Sequence, residues 1–272
     1  MSSALPESLR KLATVIASQL LDRNARTAAI SGPPGCGKTT LAGAIGEALQ
    51  VLGSDAVILS LDDFYLTRNE RERLGRTVHP LLRSRGVPGT HDDELFAGCL
   101  RDLLDGKSVR VPLFSKDMDD RCGWTEISRK SGPVIVEGWC VGARPEGKAR
   151  LQRPCNQLER TLDPEQVWRR YVNRASARME SGWMTAIEVV VFLCPPDLER
   201  VHNWRLEQET ERVPARRMSS AGLQDFLSPL ERLVGWMVVD LPSRADIVVA
   251  LGPVREVRSI RVRSVRPQEA GC

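Results

Sequence analysis

The sequence predicts an α/β fold, a mostly parallel five-stranded sheet with helices on both faces. Two observations carry that expectation. Five apolar β-like runs, near residues 28–30, 56–60, 133–137, 187–193 and 245–251, alternate with helical patterns. This is the order of a doubly wound sheet, whose crossovers join parallel strands. The first run enters Gly32-x-x-x-x-Gly37-Lys38-Thr39, and an Ala/Leu-rich helix pattern follows through about Leu52. That is the strand–loop–helix setting in which a phosphate-binding loop has mechanical meaning. A P-loop NTPase fold is therefore expected, as one domain over residues 1–272.

The composition narrows the classes. A chain of 272 residues can bury a sizeable core, and a net charge of +4 fixes no partner class. The seven cysteines form no C-x-x-C pair, and three histidines are too few for a zinc framework. No apolar run approaches the roughly 20 residues of a membrane span. Glu7, Arg10 and Lys11 interrupt the Leu/Ala positions of the first 25 residues, so no signal-peptide core is present. The expectation is a cytoplasmic protein with reduced thiols and no membrane contact.

Leu5, Leu9, Leu12, Ile16 and Leu20 fall at helical spacing. An amphipathic helix within residues 1–26 is expected on the sheet edge. Ala56–Ser60 is the second strand, and it ends in Asp62-Asp63-Phe64-Tyr65. Residues 62–132 form an expected acceptor-binding insert. It holds a charged segment (68–85), a turn-rich stretch (85–92), a helix over Asp93–Leu104 with Thr90 or Asp92 as its N-cap, a short extended segment to Phe114, and a polar loop over 115–132. Pro133–Glu137 is the third strand. Asp163-Pro164 reads as a capped start, with Pro at the first position, of a helix buried through Val167, Trp168, Tyr171, Val172, Ala175 and Met179. Pro195-Pro196 stops the most apolar strand, Ile187–Leu193. Residues 196–222, with a charged helix over Asp197–Glu211, form a lid-like region. A helix near Leu223–Met237 and a strand at Ala245–Leu251 follow. The basic tail 255–272 alternates Arg/Ser with Val/Ile up to Arg266. An edge strand with a solvated basic face is favoured over a nucleic-acid contact, because no aromatic residue interleaves the arginines.

The candidate nucleotide-binding set is Gly32, Pro33, Pro34, Gly35, Cys36, Gly37, Lys38, Thr39 and Thr40. The glycines let successive N–H groups face one centre, to which the helix N-terminus adds partial positive charge. Lys38 is expected on the β- and γ-phosphates, and the Thr39 hydroxyl on Mg²⁺. ATP and Mg²⁺ are thus the expected cofactors. Cys36 lies inside the loop, where a helix terminus would lower its thiol pKa, or it is a tolerated small side chain. Asp62 and Asp63 end the strand expected to neighbour the P-loop strand. A carboxylate there can accept the proton of an acceptor hydroxyl, or it can cap the turn. Glu137, after Val-Ile-Val, is costly to bury unless it meets a cation or water, which suits a Mg²⁺-placing role. Arg85, Lys116, Arg121 and Arg205 are candidate cations around the transferring phosphoryl group. His91 is a candidate hydrogen-bond partner of the acceptor, and Trp139 a candidate pocket wall.

The segments GPPGCGKT, SLDDFYLTRNERERL, HPLLRSRGVPGTHD, VPLFSKDMDDR and VIVEGWCVG occur in that order, followed by NQLERTLDPEQVWRRYVN and HNWRLEQE. In this order the chain resembles the D-glycerate 3-kinase family over about residues 27–211. That family belongs to the wider group of phosphoribulokinase, uridine kinase and bacterial pantothenate kinase. DDFYLT, RGVPGTHD and EGWCVG are the specific segments, since the P-loop is shared by many NTPases. The resemblance implies an ATP-dependent kinase acting on a hydroxyl of a small molecule, D-glycerate above others. It implies that Asp62, with Phe64 as companion, is the base, that Glu137 helps place Mg²⁺, and that Arg85, His91 and Lys116 lie near the acceptor. Asp63, Tyr65, Trp139 and Arg205 complete the acceptor-side candidates. The rival expectations are a nucleoside, pantothenate or sugar as acceptor, or an ATPase acting as a regulatory or nucleic-acid-binding switch.

Overall fold

The computed structural model describes residues 6–210 and 220–263. Its strands are β1 (Thr27–Ser31), β2 (Val57–Ser60), β3 (Val109–Ser115), β4 (Asp120–Ile127), β5 (Val134–Gly138), β6 (Val189–Cys194), β7 (Ile247–Leu251) and β8 (Val257–Val262). Its helices are α1 (Glu7–Asp22), α2 (Lys38–Val51), α3 (Arg68–Thr77), α4 (Asp93–Leu104), α5 (Lys148–Gln152), α6 (Gln157–Leu162), α7 (Val167–Ser181), α8 (Leu198–Thr210) and α9 (Ser220–Asp240). None of these helices is long and apolar enough to cross a membrane.

The main sheet runs β2-β5-β1-β6-β7-β8. The first five strands are parallel, as expected. A sixth, β8, adds antiparallel to β7, so the sheet has six strands and not five. β8 is the anticipated edge strand: it is exposed at five of its six residues, and its arginines face water. The rest of the basic tail, residues 264–272, lies outside the described residues. All five residues of β1 and of β5 are buried. Successive side chains of a strand point to opposite faces, so both faces of the sheet centre are covered.

The strand order corrects one expectation. β2, which leads to Asp62, does not neighbour β1. β5 lies between them, with Glu137 opposite Ile30 on one side and Ser60 on the other. Val134, Ile135 and Val136 are each fully buried, and a strand so apolar on both sides belongs in the sheet interior. The shorter β2 takes the edge.

The N-terminal helix forms with the expected face, Leu12, Ile16 and Leu20 being buried along with Ala13 and Ala17. It packs against α2 and not on the sheet edge. Residues 196–222 contribute α8 and the start of α9, and residues 211–219 lie outside the described residues.

The insert differs most from its reading. The charged segment after Tyr65 is α3, opened by a capping box between Thr67 and Glu70. It shows no apolar period because its buried face is Arg71 and Gly75. Arg71 is fully buried and donates to the carbonyls of Leu66, Arg83 and Asp119. Asp92, one of the two proposed caps, accepts from Leu95 N at the start of α4. The stretch read as a polar loop holds β4, which pairs antiparallel with β3. β4 is partly or fully exposed along its whole length, so it carries no alternation to betray it. Asp163 caps α7 from further upstream than expected. Its carboxylate accepts from Trp168 N and Arg169 N and pairs with the buried Arg169 guanidinium. The helix therefore starts at Val167, after a left-handed Gln166.

Candidate active site

The loop between β1 and α2 is held by its glycines. Gly37, the N-cap of α2, has φ of 94°, a conformation in which a Cβ would be strained. Lys38 is buried, and its Nζ donates to Pro33 O at 3.0 Å. The ammonium is thus folded over the loop that it would share with phosphate oxygens. Cys36 is buried too. Burial pushes its thiol up despite the nearby Lys38, which corrects the expectation of a lowered pKa.

Glu137 is buried at the end of β5. Its Oε1 accepts from Thr39 Oγ1 at 3.0 Å and from Ser60 Oγ at 2.8 Å. One carboxylate and two hydroxyls, all oxygen donors, meet at the mouth of the loop. This set fits Mg²⁺, which takes few protein ligands and fills its octahedron with water and phosphate oxygens. Among the described residues no cluster of three or more His, Cys, Asp or Glu forms a metal cage.

Asp62 lies in the 3₁₀ turn Leu61–Phe64 that leaves β2. Lys116 Nζ donates to its Oδ2 at 2.8 Å and Tyr65 Oη to its Oδ1 at 3.2 Å. Burial raises the Asp62 carboxyl, but Lys116, with lesser help from Lys38 and His91, outweighs it, and the net shift is downward. Asp63 moves the other way, because burial and the neighbouring Asp62 charge exceed the help of the Phe114 backbone. Two adjacent carboxylates thus shift in opposite directions, and Asp62 is the one held below the ordinary carboxylate range. Tyr65 stacks on His91 with ring centroids 4.3 Å apart. Burial also lowers His91 to about 4, so its imidazole is neutral at pH 7.

One cleft collects these groups. Pro34, Gly35, Gly37, Lys38, Thr39 and Thr40 form its loop side, and Asp62, Tyr65, Arg85, Lys116, Glu137, Trp139 and Arg205 also line it. Trp139 is fixed by its indole N–H on Gly86 O at 2.9 Å. Arg205 reaches in from α8, its guanidinium 5.2 Å from the Phe226 ring centroid. Gly32, Pro33, Cys36, Asp63 and His91 are not among the lining residues. His91 stands behind Tyr65, buried, with neither ring nitrogen hydrogen-bonded to protein. Arg121 is used structurally, donating to Tyr65 O and Asp92 Oδ2. The sequence reading missed Ser60, Gly86, Gln208, Phe226 and Leu230. Gln208 was within reach of it, since i, i+3 spacing puts it on the face of α8 that carries Arg205. Phe226 and Leu230 read as ordinary core spacing.

No family model matches the chain. It is 33% identical over 193 residues to the uncharacterized kinase mug58 of Schizosaccharomyces pombe, an alignment covering 66% of this chain and 68% of that one. It is 29% identical over 209 residues to the chloroplastic D-glycerate 3-kinase of Arabidopsis thaliana, covering 72% of this chain and 42% of that protein. Among solved structures, D-glycerate 3-kinase from Cryptococcus neoformans var. grubii superimposes with a TM-score of 0.78 at 22% identity, covering 95% of this chain and 100% of that one. The phosphate-binding loop, the carboxylates facing it and these relatives agree: the chain belongs to the family of ATP-dependent P-loop small-molecule kinases that includes mug58 and D-glycerate 3-kinase.

Proposed function

We propose that this kinase transfers the γ-phosphate of ATP to the 3-hydroxyl of D-glycerate, giving 3-phosphoglycerate. The observation that carries the reading is the cleft itself. An ionised carboxylate, Asp62, faces the phosphate loop and shares the cleft with two cations, Lys116 and Arg85. A small hydroxy acid needs such a pairing, a base for its hydroxyl and a cation for its carboxylate. The Arabidopsis relative acts on D-glycerate by its name, which supports the same acceptor here.

In this reading Gly35, Gly37, Lys38, Thr39 and Thr40 hold the phosphates. Thr39 and Glu137 would hold Mg²⁺, which when bound neutralises charge on the β- and γ-phosphates. Asp62 orients the acceptor hydroxyl and takes its proton as the oxygen–phosphorus bond forms and ADP leaves. Lys116 and Arg85 bind the acceptor carboxylate, Trp139 and Tyr65 limit the pocket, and Arg205 closes on the phosphates from α8. The segment 62–132 serves as the acceptor side. A cytoplasmic location belongs to the same reading, in keeping with six described cysteines that are all free thiols.

The test is kcat/KM for D-glycerate, L-glycerate, glycerol, uridine and pantothenate under identical conditions. D-Glycerate is expected to exceed glycerol about 10- to 100-fold, the worth of hydrogen bonds to a charged group. A preference for uridine or pantothenate would discard the acceptor and keep the kinase.

A further inference from the structure

Arg255 lies on the turn between β7 and β8, far in sequence from every residue assigned above. Its φ of 65° is left-handed, an uncommon conformation for a side chain of this size. The guanidinium is fully engaged. Nε donates to Gly35 O at 2.7 Å, Nη2 donates to Trp204 O at 3.1 Å, and Nη1 pairs with Glu207 at 2.7 Å. It also stands 5.5 Å from the Trp204 ring centroid, and Trp204 in turn donates its indole N–H to Pro253 O on the same turn. The turn is thus tied at once to the phosphate loop and to α8.

Gly35 has φ of 82°, and a glycine imposes little preference on the orientation of its peptide. That orientation matters in a phosphate-binding loop, where inward N–H groups attract the anion and an inward carbonyl oxygen repels it. In a planar trans peptide the C=O and the N–H point in opposite directions. The Gly35 carbonyl is held by Arg255, which does not line the cleft. The N–H of the same peptide, on Cys36, makes a long 3.4 Å contact with Pro33 O inside the loop.

We propose that Arg255 is a positioning residue for nucleotide binding: it holds the Gly35 carbonyl turned out of the cleft, so that this peptide offers the triphosphate its N–H and not its oxygen. Through Trp204 and Glu207 it sets α8 in register with the loop, and Arg205 with it. The proposal rests on reading the loop as the ATP site.

The experiment uses the full chain and measures dissociation constants for ATP and for inorganic tripolyphosphate, each with magnesium, together with KM for both substrates and the melting temperature. Arg255→Gly accepts the left-handed backbone without strain and deletes only the side chain. Both ligands are expected to bind about 10- to 100-fold more weakly, while the acceptor KM stays within about twofold. Arg255→Lys keeps the charge but not the planar fork that reaches two carbonyls and a carboxylate, and it is expected to lose most of the same affinity. Unchanged affinities in Arg255→Gly would overturn the proposal. Full rescue by lysine would overturn it as well, and so would equal rises in both KM values with a fall in melting temperature. Loss for ATP but not for tripolyphosphate would mean that Arg255 serves the base and not the loop. A wild-type protein that binds neither ligand would remove the ATP-site reading together with the proposal.

Discussion

Asp62 and Asp63 are adjacent, identical in type and different in environment. Lys116 and Tyr65 occupy the two oxygens of Asp62, whereas burial moves Asp63 upward. If Asp62 is the base, Asp62→Asn keeps shape and removes the acceptor charge. ATP affinity should then be unchanged while transfer falls roughly 10²–10⁴-fold, and Asp63→Asn should cost less. Kinetics and ATP titrations on the purified variants check this, and the reverse order would reassign the base. Lys116 makes a second prediction. Its charge is the main influence holding Asp62 below the ordinary carboxylate range, so this carboxylate stays ionised to lower pH than burial alone would allow. Lys116→Met removes the largest opposition to burial and leaves the weaker help of Lys38 and the Tyr65 hydroxyl. The acid limb of the kcat–pH profile should therefore move to higher pH, and an acid limb that does not move would mean that another group titrates.

The element that carries Lys116 is the hairpin of β3 and β4, and its turn is bolted down by charges. Arg71 pairs with Asp119 at 2.9 Å, and Arg85 also pairs with Asp119. Arg68 holds Asp120 Oδ1 and Met118 O. The hairpin is thus fixed to α3, and α3 leads back to the 3₁₀ turn of Asp62. Asp119 has φ of 52°, which Asn tolerates as well as Asp, so Asp119→Asn removes charge without backbone strain. The acceptor KM is expected to rise about tenfold while the KM for ATP stays within about twofold. Steady-state kinetics with each substrate varied in turn reads this, and equal rises would mean that the hairpin serves the whole cleft.

At the scale of the molecule, α9 is fastened over α5 and α6 by a buried ionic cluster. Arg232 pairs with Glu159 at 2.6 Å and Glu146 at 3.2 Å, with side-chain exposures of 10%, 1% and 3%. Removing the cation leaves the buried Glu159 without a cationic partner among the described residues, while Glu146 keeps Arg150, at 2.9 Å. Arg232→Met should cost about 3–5 kcal/mol, measured by urea unfolding at pH 7. Burial alone would raise Glu159, but the Arg232 hydrogen bonds and charge, with the Cys155 N–H, bring it below its usual value. A depressed folded pKa gives stability that is full above the unfolded value of about 4.3 and is lost as pH falls through the folded one. The wild-type advantage over Arg232→Met should therefore shrink below about pH 4. An advantage unchanged across that range would place the effect in packing and not in charge.

What was legible in the sequence was local. The phosphate loop is contiguous, its glycines and Lys38 being spaced by the backbone that they shape. β1, β5, β6 and β7 show as apolar runs because both their faces are largely buried, and Asp92 lies within three residues of the N–H it caps. Tertiary packing decided the rest. β5 lies between β1 and β2 because the most buried strands take the centre. α3 and β4 left no period, since one buries an arginine and the other buries little. Lys116 meets Asp62 across 54 residues, and Arg255 meets Gly35 across 220. A hydrophobic period reports which face of one element is dry. It carries no information on which distant charge or carbonyl will stand opposite, because that partner is chosen by how the layers pack.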